Sequence, residues 1–322
     1  MIDGALAAAR AVHFAATLLL EGSIAFGVLV GRPSAAGEMV SRRNANWIEA
    51  AAFVVAIVSG AAWLLLVGAD TAGSSVSAAI SDGTAWLLLT QTQFGSAWQA
   101  RAAGFLLLAM CMIAAHRKHA PSAWSVVALL LSIALAGSIA WSGHGAATPG
   151  VPGDVHVALD FLHLAAAGLW LGGLLPFTLI LLHSSGPAHE LSRRFSALAT
   201  ASVLILLPTG IANSWFALPS IAALTGTLYG QLLLAKIGLF LLMLAFAAVN
   251  RFVLVPQLAS EASAKRSTAR LVIHSGCEIA LGVVILGIVG VLGILSPMLE
   301  HHNTMAAHAD SGTLLAISAG QN

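Results

Sequence analysis

The sequence predicts an all-α, polytopic membrane protein: a bundle of eight transmembrane helices with both chain termini on the outer side. Three observations carry this. Only 8% of the residues are charged, against roughly a quarter in a soluble domain. The mean hydropathy is +0.91. Apolar stretches of the length that a bilayer core demands, about 20 residues, recur eight times along the 322 residues. A buried helix of a soluble protein accounts for any one of them, but not for eight in succession with polar punctuation.

The predicted helices run over 5–30, 47–68, 99–116, 123–142, 155–183, 196–216, 230–252 and 271–295. The first has no basic segment ahead of it, and its apolar run holds Arg10, His13 and Glu21. It reads as a retained helix rather than a signal peptide. Residues 84–95 (TAWLLLTQTQFG) are apolar but short, which suits a helix lying on the membrane surface. The fifth predicted helix carries a polar stripe, and the sixth contains Pro208 and Gly210. A proline there frees backbone groups that need another partner. The seventh and eighth hold Lys236 and Glu278. Trp47, Trp86, Trp98, Trp124, Trp141 and Trp215 fall near predicted ends, as interfacial anchors do.

Positive charge sets the orientation. Segments 31–46, 116–122, 184–195 and 251–270 carry eleven Lys and Arg residues, whereas 69–98, 143–154 and 217–229 carry none. The basic segments are therefore expected in the cytoplasm. Residues 1–296 form one transmembrane domain, and 297–322 are expected to be a mobile outer tail containing His and Met. A net charge of +1 offers no field for nucleic acid. Cys111 and Cys277 both lie in apolar runs, which excludes a disulfide framework. The sequence holds no Walker loop, HExxH, GxSxG or CxxCH, so neither direct use of ATP nor a familiar catalytic constellation is expected. The chain reads as a non-enzyme.

The chemistry-bearing residues concentrate toward the outer side. His156, Asp160 and His163 are spaced i, i+4, i+7 on the fifth predicted helix, so they share one face. Two imidazoles and a carboxylate on one stripe suit a metal site, with the carboxylate as ligand or as the group that orients a histidine. A helix-to-helix hydrogen-bond network without metal accounts for the same stripe. His144 lies in the outer loop GHGAATPGVPGD, and His13 sits about two turns into the first helix. The tail adds His301, His302, Met305 and His308 as a secondary group. Imidazole mixed with thioether suits copper. Deeper in, Glu21 and Glu278 fall in the inner half, and Lys236 lies near the depth of Asp160. Such groups are costly in a bilayer and must pair, neutralise or line a hydrated path. Lys236 with Asp160 is the natural pair, and Glu21, Lys236 and Glu278 are candidates for a translocation path.

At these residues the chain resembles the CopD/PcoD family of bacterial inner-membrane copper proteins. The matching pieces run in family order: GHGAA with His144; DFLHLAAAGLWLGGL with Asp160, His163 and Trp170; RRFSALA from Arg193; LPTGIANSW with Thr209; LYGQLLLAKIGLF with Tyr229 and Lys236; NRFVLVP with Asn250 and Arg251; and Glu278. The resemblance is strongest over 143–296. It implies an eight-helix, multi-pass inner-membrane protein that moves copper from periplasm to cytoplasm in copper resistance or supply. It also implies a small periplasmic copper-binding partner of the CopC type, expected here as a separate chain. The outer histidines would capture the ion. Two other readings stand beside this one. A b-type haem protein would use histidines on different helices as axial ligands, from among His13, His163, His183 and His274. A copper-binding scaffold or sensor would transport nothing.

The orientation is testable. Reporter fusions after residues 40, 119, 190 and 262 are all expected to report the cytoplasm. Two or more reporting the periplasm would overturn the assignment.

Overall fold

The computed structural model describes residues 2–31, 38–116, 123–143, 150–183, 188–218 and 220–295. His144 and the tail from residue 296, with His301, His302, Met305 and His308, lie outside the described residues. Eight helices are long and apolar enough to span a membrane: α1 (Ile2–Val30), α2 (Asn46–Ala72), α3 (Gln93–Ala115), α4 (Ala123–Ser142), α5 (Val151–His183), α6 (Ala188–Ala217), α7 (Leu228–Gln257) and α8 (Glu261–Leu292). They coincide with the eight predicted spans. The face of the bundle bearing the basic connections is called the basic face below, and the other the opposite face.

Most spans begin earlier than the apolar pattern predicts, furthest ahead α6, at 188 instead of 196, and α8, at 261 instead of 271. The added turns are charged and still helical. In α6, Glu190 lies in the first turn, where the helix dipole favours an acid. It also pairs with Arg193 and Arg194 at 2.8 Å, at i+3 and i+4. Pro208 does not interrupt α6, which runs through it. The short segment predicted to lie on the surface forms a helix, Thr84–Gln91, with no buried residue. Asp82 caps its start by accepting a hydrogen bond from the Thr84 amide at 2.9 Å.

The helices are not equivalent. Of the most apolar stretch of α1, and likewise of α5, 67% is buried, against 11% for α7. α1 and α5 are therefore the inner helices, while α7 turns rows such as Leu241 and Leu242 outward to face lipid. One apolar cluster joins α1 to α2, α3 and α4 around Leu20, Ala56, Phe105, Leu108 and Leu129. Another joins α5 to α8 around Trp170, Phe177, Phe195, Met243 and Leu271, and takes in Phe26 of α1. Lipid tails are as apolar as leucine, so burial alone does not hold these helices together; close backbone approach does.

That approach is tightest where α1 crosses α5. A Cβ on Gly22 would overlap the backbone of Gly168, Gly172 and Gly173, and one on Gly172 would overlap the Leu18 carbonyl. At the crossing α5 widens into a π-helical turn, Gly168–Gly172. A second such turn, Asn250–Leu254, lies in α7. Single π turns inside α-helices recur at functional sites, because the extra residue re-aims the side chains around it.

The crossing makes a prediction. Gly172→Val must push two backbones apart and is expected to cost about 3 kcal/mol or more. Gly238→Ala, where an added Cβ meets nothing within 4 Å, is expected to change stability by less than about 0.5 kcal/mol. Thermal unfolding in detergent checks both.

Candidate copper-handling site

Three rungs connect α5 to α6 near the opposite face. His156 stacks on Phe216 with ring centroids 4.9 Å apart and planes 13° from parallel. One turn deeper, Asp160 accepts a hydrogen bond from the Asn213 side-chain amide at 3.1 Å. Deeper again, the His163 Nδ1 lies 3.0 Å from the Thr209 hydroxyl oxygen. The antiparallel arrangement of α5 and α6 explains the order, since 156, 160 and 163 descend as 216, 213 and 209 ascend. α7 closes the third side. Lys236 acts electrostatically on both Asp160 and His163, and Tyr229 faces Asp160 two turns away on the same side of α7. Lys236 and Asp160 act on each other across a gap, without a direct ion pair.

Hydrogen-bond direction fixes which histidine has a free lone pair. The Thr209 hydroxyl donates to the Ile205 carbonyl at 2.7 Å. Its oxygen is then the acceptor for His163, whose Nδ1 carries the proton. The Leu206 carbonyl also reaches the ring, so α6 holds His163 through a hydroxyl and a backbone carbonyl; in the tautomer with Nδ1 protonated, Nε2 carries the lone pair, as in a histidine that ligates a metal while its other nitrogen is held by a neighbour. Asp160 also points at Gly143, whose added Cβ would lie 3.8 Å from Oδ2. Gly143 is the residue before His144, so the loop bearing that histidine starts beside Asp160.

His13 is different. It is fully buried, with Nδ1 2.9 Å from the Ala56 carbonyl and Nε2 2.6 Å from the Arg101 guanidinium. A carbonyl only accepts and a guanidinium only donates, so both ring nitrogens are engaged. Arg101 is fixed in turn by the Leu135 carbonyl at 2.7 Å and the Ser138 hydroxyl at 2.5 Å. Trp63 and Trp98 enclose the ring at 5.6 and 5.4 Å. His13 thus turns toward α2 and α3, while His163 turns toward α6. The structure does not bring them together, because α1 and α5 meet closely only deeper, at Gly22. Of the other two histidines considered as haem ligands, His183 bonds the Leu179 carbonyl of its own helix and His274 bonds the Asn250 side chain, each through Nδ1. Among the described residues no three His, Cys, Asp or Glu side chains are arranged to hold a metal ion.

In the basic half, the two glutamates differ sharply. Glu278 of α8 accepts a hydrogen bond from the Asn250 side-chain amide at 2.6 Å and another from the Trp170 indole. The other end of Asn250 bonds His274 at 2.9 Å. Glu21 of α1 is fully buried against Gly168, and neither of its carboxyl oxygens has a partner.

Of the residues that build these sites, Thr209, Asn213, Tyr229, Asn250 and Trp170 stand in the sequence pieces quoted above, Asn213 without being singled out there, but Arg101 does not. The available signal for Asn213 was its i+4 spacing from Thr209, which mirrors the stripe on α5. For Arg101 it was an arginine at the head of an apolar helix with no acid nearby in sequence.

The gap between Lys236 and Asp160 is testable by a double-mutant cycle. Lys236→Met and Asp160→Asn together are expected to destabilise less than the sum of the single changes, by about 0.5–2 kcal/mol. Additivity in thermal unfolding would mean that the two charges do not interact.

Comparison with known proteins agrees with this architecture. Residues 1–155 match the family model described as copper resistance protein D-like, N-terminal domain, and residues 189–292 match the model described as copper resistance protein D. The polar stripe of α5 falls between the two. The chain is 36% identical to copper resistance protein D of Pseudomonas syringae pv. tomato over 225 residues, 66% of this chain and 71% of that one. It is 34% identical to copper transport protein CutJ of Bacillus subtilis over 186 residues, 56% of this chain and 34% of CutJ. It is 28% identical to inner membrane protein YebZ of Escherichia coli over 294 residues, covering 90% of this chain and 97% of YebZ. No solved structure matches. With eight apolar spans and these relatives, the chain belongs to the copper resistance protein D family, as a multi-pass protein of the inner membrane with a role in copper handling.

Proposed function

We propose that this protein carries copper across the inner membrane from the periplasm to the cytoplasm, with the ion as cargo and no covalent chemistry. The positive-inside pattern supports a cytoplasmic basic face, which puts both termini, the α5–α6 ladder and the His144 loop in the periplasm. Residues 1–296 act as one transmembrane unit, and 297–322 as a periplasmic tail.

The observation that carries this reading is the state of His163. Its ring is held by Thr209 and Leu206 of α6, the tautomer with Nδ1 protonated puts the lone pair on Nε2, and Asp160 stands one turn above it on the same face. His163 and Asp160, with His156 above and His144 from the neighbouring loop, would capture the ion. Imidazole nitrogen and carboxylate oxygen suit Cu(II), and delivery would come from a separate periplasmic copper-binding protein of the CopC type. Lys236 is a tethered positive charge at this level, so an arriving cation must shift or neutralise it. From there Glu21 and Glu278 would line the way to the cytoplasm. His13 serves the path by holding α1 against α2 and α3 rather than by ligation, since both of its nitrogens are taken. The tail histidines and Met305 would bind copper only weakly, because a terminal segment must be ordered before it can ligate, whereas helix-borne ligands are already positioned.

Copper binding to the purified protein, together with copper uptake by sealed proteoliposomes, tests this. His156→Ala with His163→Ala is expected to abolish high-affinity binding and uptake. Truncation after Pro297 is expected to leave most of both. His13→Ala is expected to lower thermal stability by roughly 2–4 kcal/mol while retaining binding. Binding lost on truncation but kept in the α5 double variant would mean that the bundle histidines are structural. Binding without any uptake by the intact protein would mean a scaffold instead of a transporter.

A further inference from the structure

Between α5, α6, α7 and α8, near the basic face, the structure encloses a cavity of about 40 Å³. A single water needs roughly 10–15 Å³ of such space, so the cavity takes about three. Its wall is mixed. Trp170, Phe177 and Phe195 supply apolar surface, and Ser192, Ser275 and Glu278 supply polar groups. The hydroxyls of Ser192 and Ser275 are each 1% exposed, and neither has a hydrogen-bond partner. Two buried hydroxyls without partners, beside a space large enough for water, are what bound water satisfies. The cavity is not sealed. Ser196 and Arg251, both partly exposed, stand at its rim. There the Arg251 guanidinium donates to the Ser196 carbonyl and hydroxyl, both at 3.1 Å, and ties α7 to α6 at the entrance.

The inner end of the cavity is Glu278 with Trp170. The indole is 2% exposed, donates to Glu278 and stands edge-on to Phe240 at 6.2 Å and 80°. It belongs to the π turn of α5, Gly168–Gly172, and Gly168 at the start of that turn is the residue against Glu21. The same five-residue turn therefore presents Trp170 to the cavity and Gly168 to Glu21. The two buried carboxyls lie on either side of it, Glu278 lining the cavity and Glu21 with no hydrogen-bond partner.

We propose that this cavity is a hydrated vestibule, open to the basic face and occupied by water and small hydrated cations. Glu278 is the end of the vestibule, and Trp170 is the plug that separates it from Glu21. Movement of the π turn that withdraws the Trp170 indole from Glu278 joins the two carboxyls into one polar path. This deepens the transport reading and rests on it for the meaning of the path. The hydration and the plug, however, are measured without copper.

The test is thiol accessibility in a protein with Cys111→Ala and Cys277→Ala. Single cysteines are placed as Ser196→Cys at the rim, Ser275→Cys inside, and Glu21→Cys beyond the plug. A small, membrane-impermeant cationic methanethiosulfonate is applied to the basic face of oriented vesicles, without copper. Ser196→Cys and Ser275→Cys are expected to react, and Glu21→Cys is not. Adding Trp170→Ala is expected to raise the Glu21→Cys rate at least tenfold. Trp170→Phe, which keeps the ring but removes the N–H and so covers the case in which Ala fails to fold, is expected to raise it by a smaller factor. An unreactive Ser275→Cys beside a reactive Ser196→Cys would mean a dry cavity. Reaction of Glu21→Cys with Trp170 intact, or no increase in either Trp170 variant, would mean that Trp170 is not the plug. If the labelling pattern holds while proteoliposomes take up no copper, the transport reading fails and the vestibule stands.

Discussion

The backbone contact of α1 with α5 is the constraint on which the rest of the molecule depends. Gly22 and Gly172 let two helices meet without side chains between them, nearer than any residue with a Cβ permits. Because lipid gives apolar side chains no reason to prefer each other, such contacts and polar pairs decide which helices neighbour which. This one holds α1 inside a bundle whose other members are arranged around it. α2, α3 and α4 pack on one side of α1, and α5 to α8 on the other. It also fixes Glu21 beside the π turn of α5, and so sets how deep the polar groups of the basic half reach.

The contrast between His13 and His163 follows from the same arrangement. Both lie toward the opposite face of the bundle by counting along their helices. α1 is rotated so that His13 faces the Arg101 guanidinium and the Ala56 carbonyl, which between them engage both ring nitrogens. His163 faces the Thr209 hydroxyl and the Leu206 carbonyl, both of α6, and with Nδ1 protonated keeps a lone pair on Nε2. An imidazole held on one side is a ligand in waiting, whereas one held on both sides is a structural strut. Residue type and depth are equal in the two cases; only the hydrogen-bond partners separate them.

Much of this was legible in the sequence, and the part that was not has a physical explanation. Apolar runs of bilayer length give eight helices directly, because a backbone in lipid has no alternative to helix short of a closed barrel. The i, i+4, i+7 spacing of His156, Asp160 and His163 gives a shared face on any helix, and the structure keeps it, opposite Phe216, Asn213 and Thr209. What spacing cannot give is the rotation of one helix relative to another. The turn of His13 toward α3 could not be read for that reason: Arg101 lies 88 positions beyond His13, and nothing local ties the two. The charged starts of α6 and α8 were missed because hydropathy ends where charge begins, although the helix does not. The π turns are equally silent, since one extra residue in a turn barely disturbs an apolar pattern that lipid tolerates on every side.

The placement of α1 also governs the order in which the protein is assembled. α1 is made before α5 and carries Glu21 into the membrane, but Gly168 lies 147 residues further along. At ordinary synthesis rates of about 5–20 residues per second, roughly seven to thirty seconds pass before the surface that encloses this carboxyl exists. During that interval the helix must be sheltered by α2 and the insertion machinery, or wait tilted at the interface, because a bare carboxyl is expelled from the hydrocarbon core. The innermost helix of the finished bundle thus spends an interval in the membrane before the helix that encloses its carboxyl has been made.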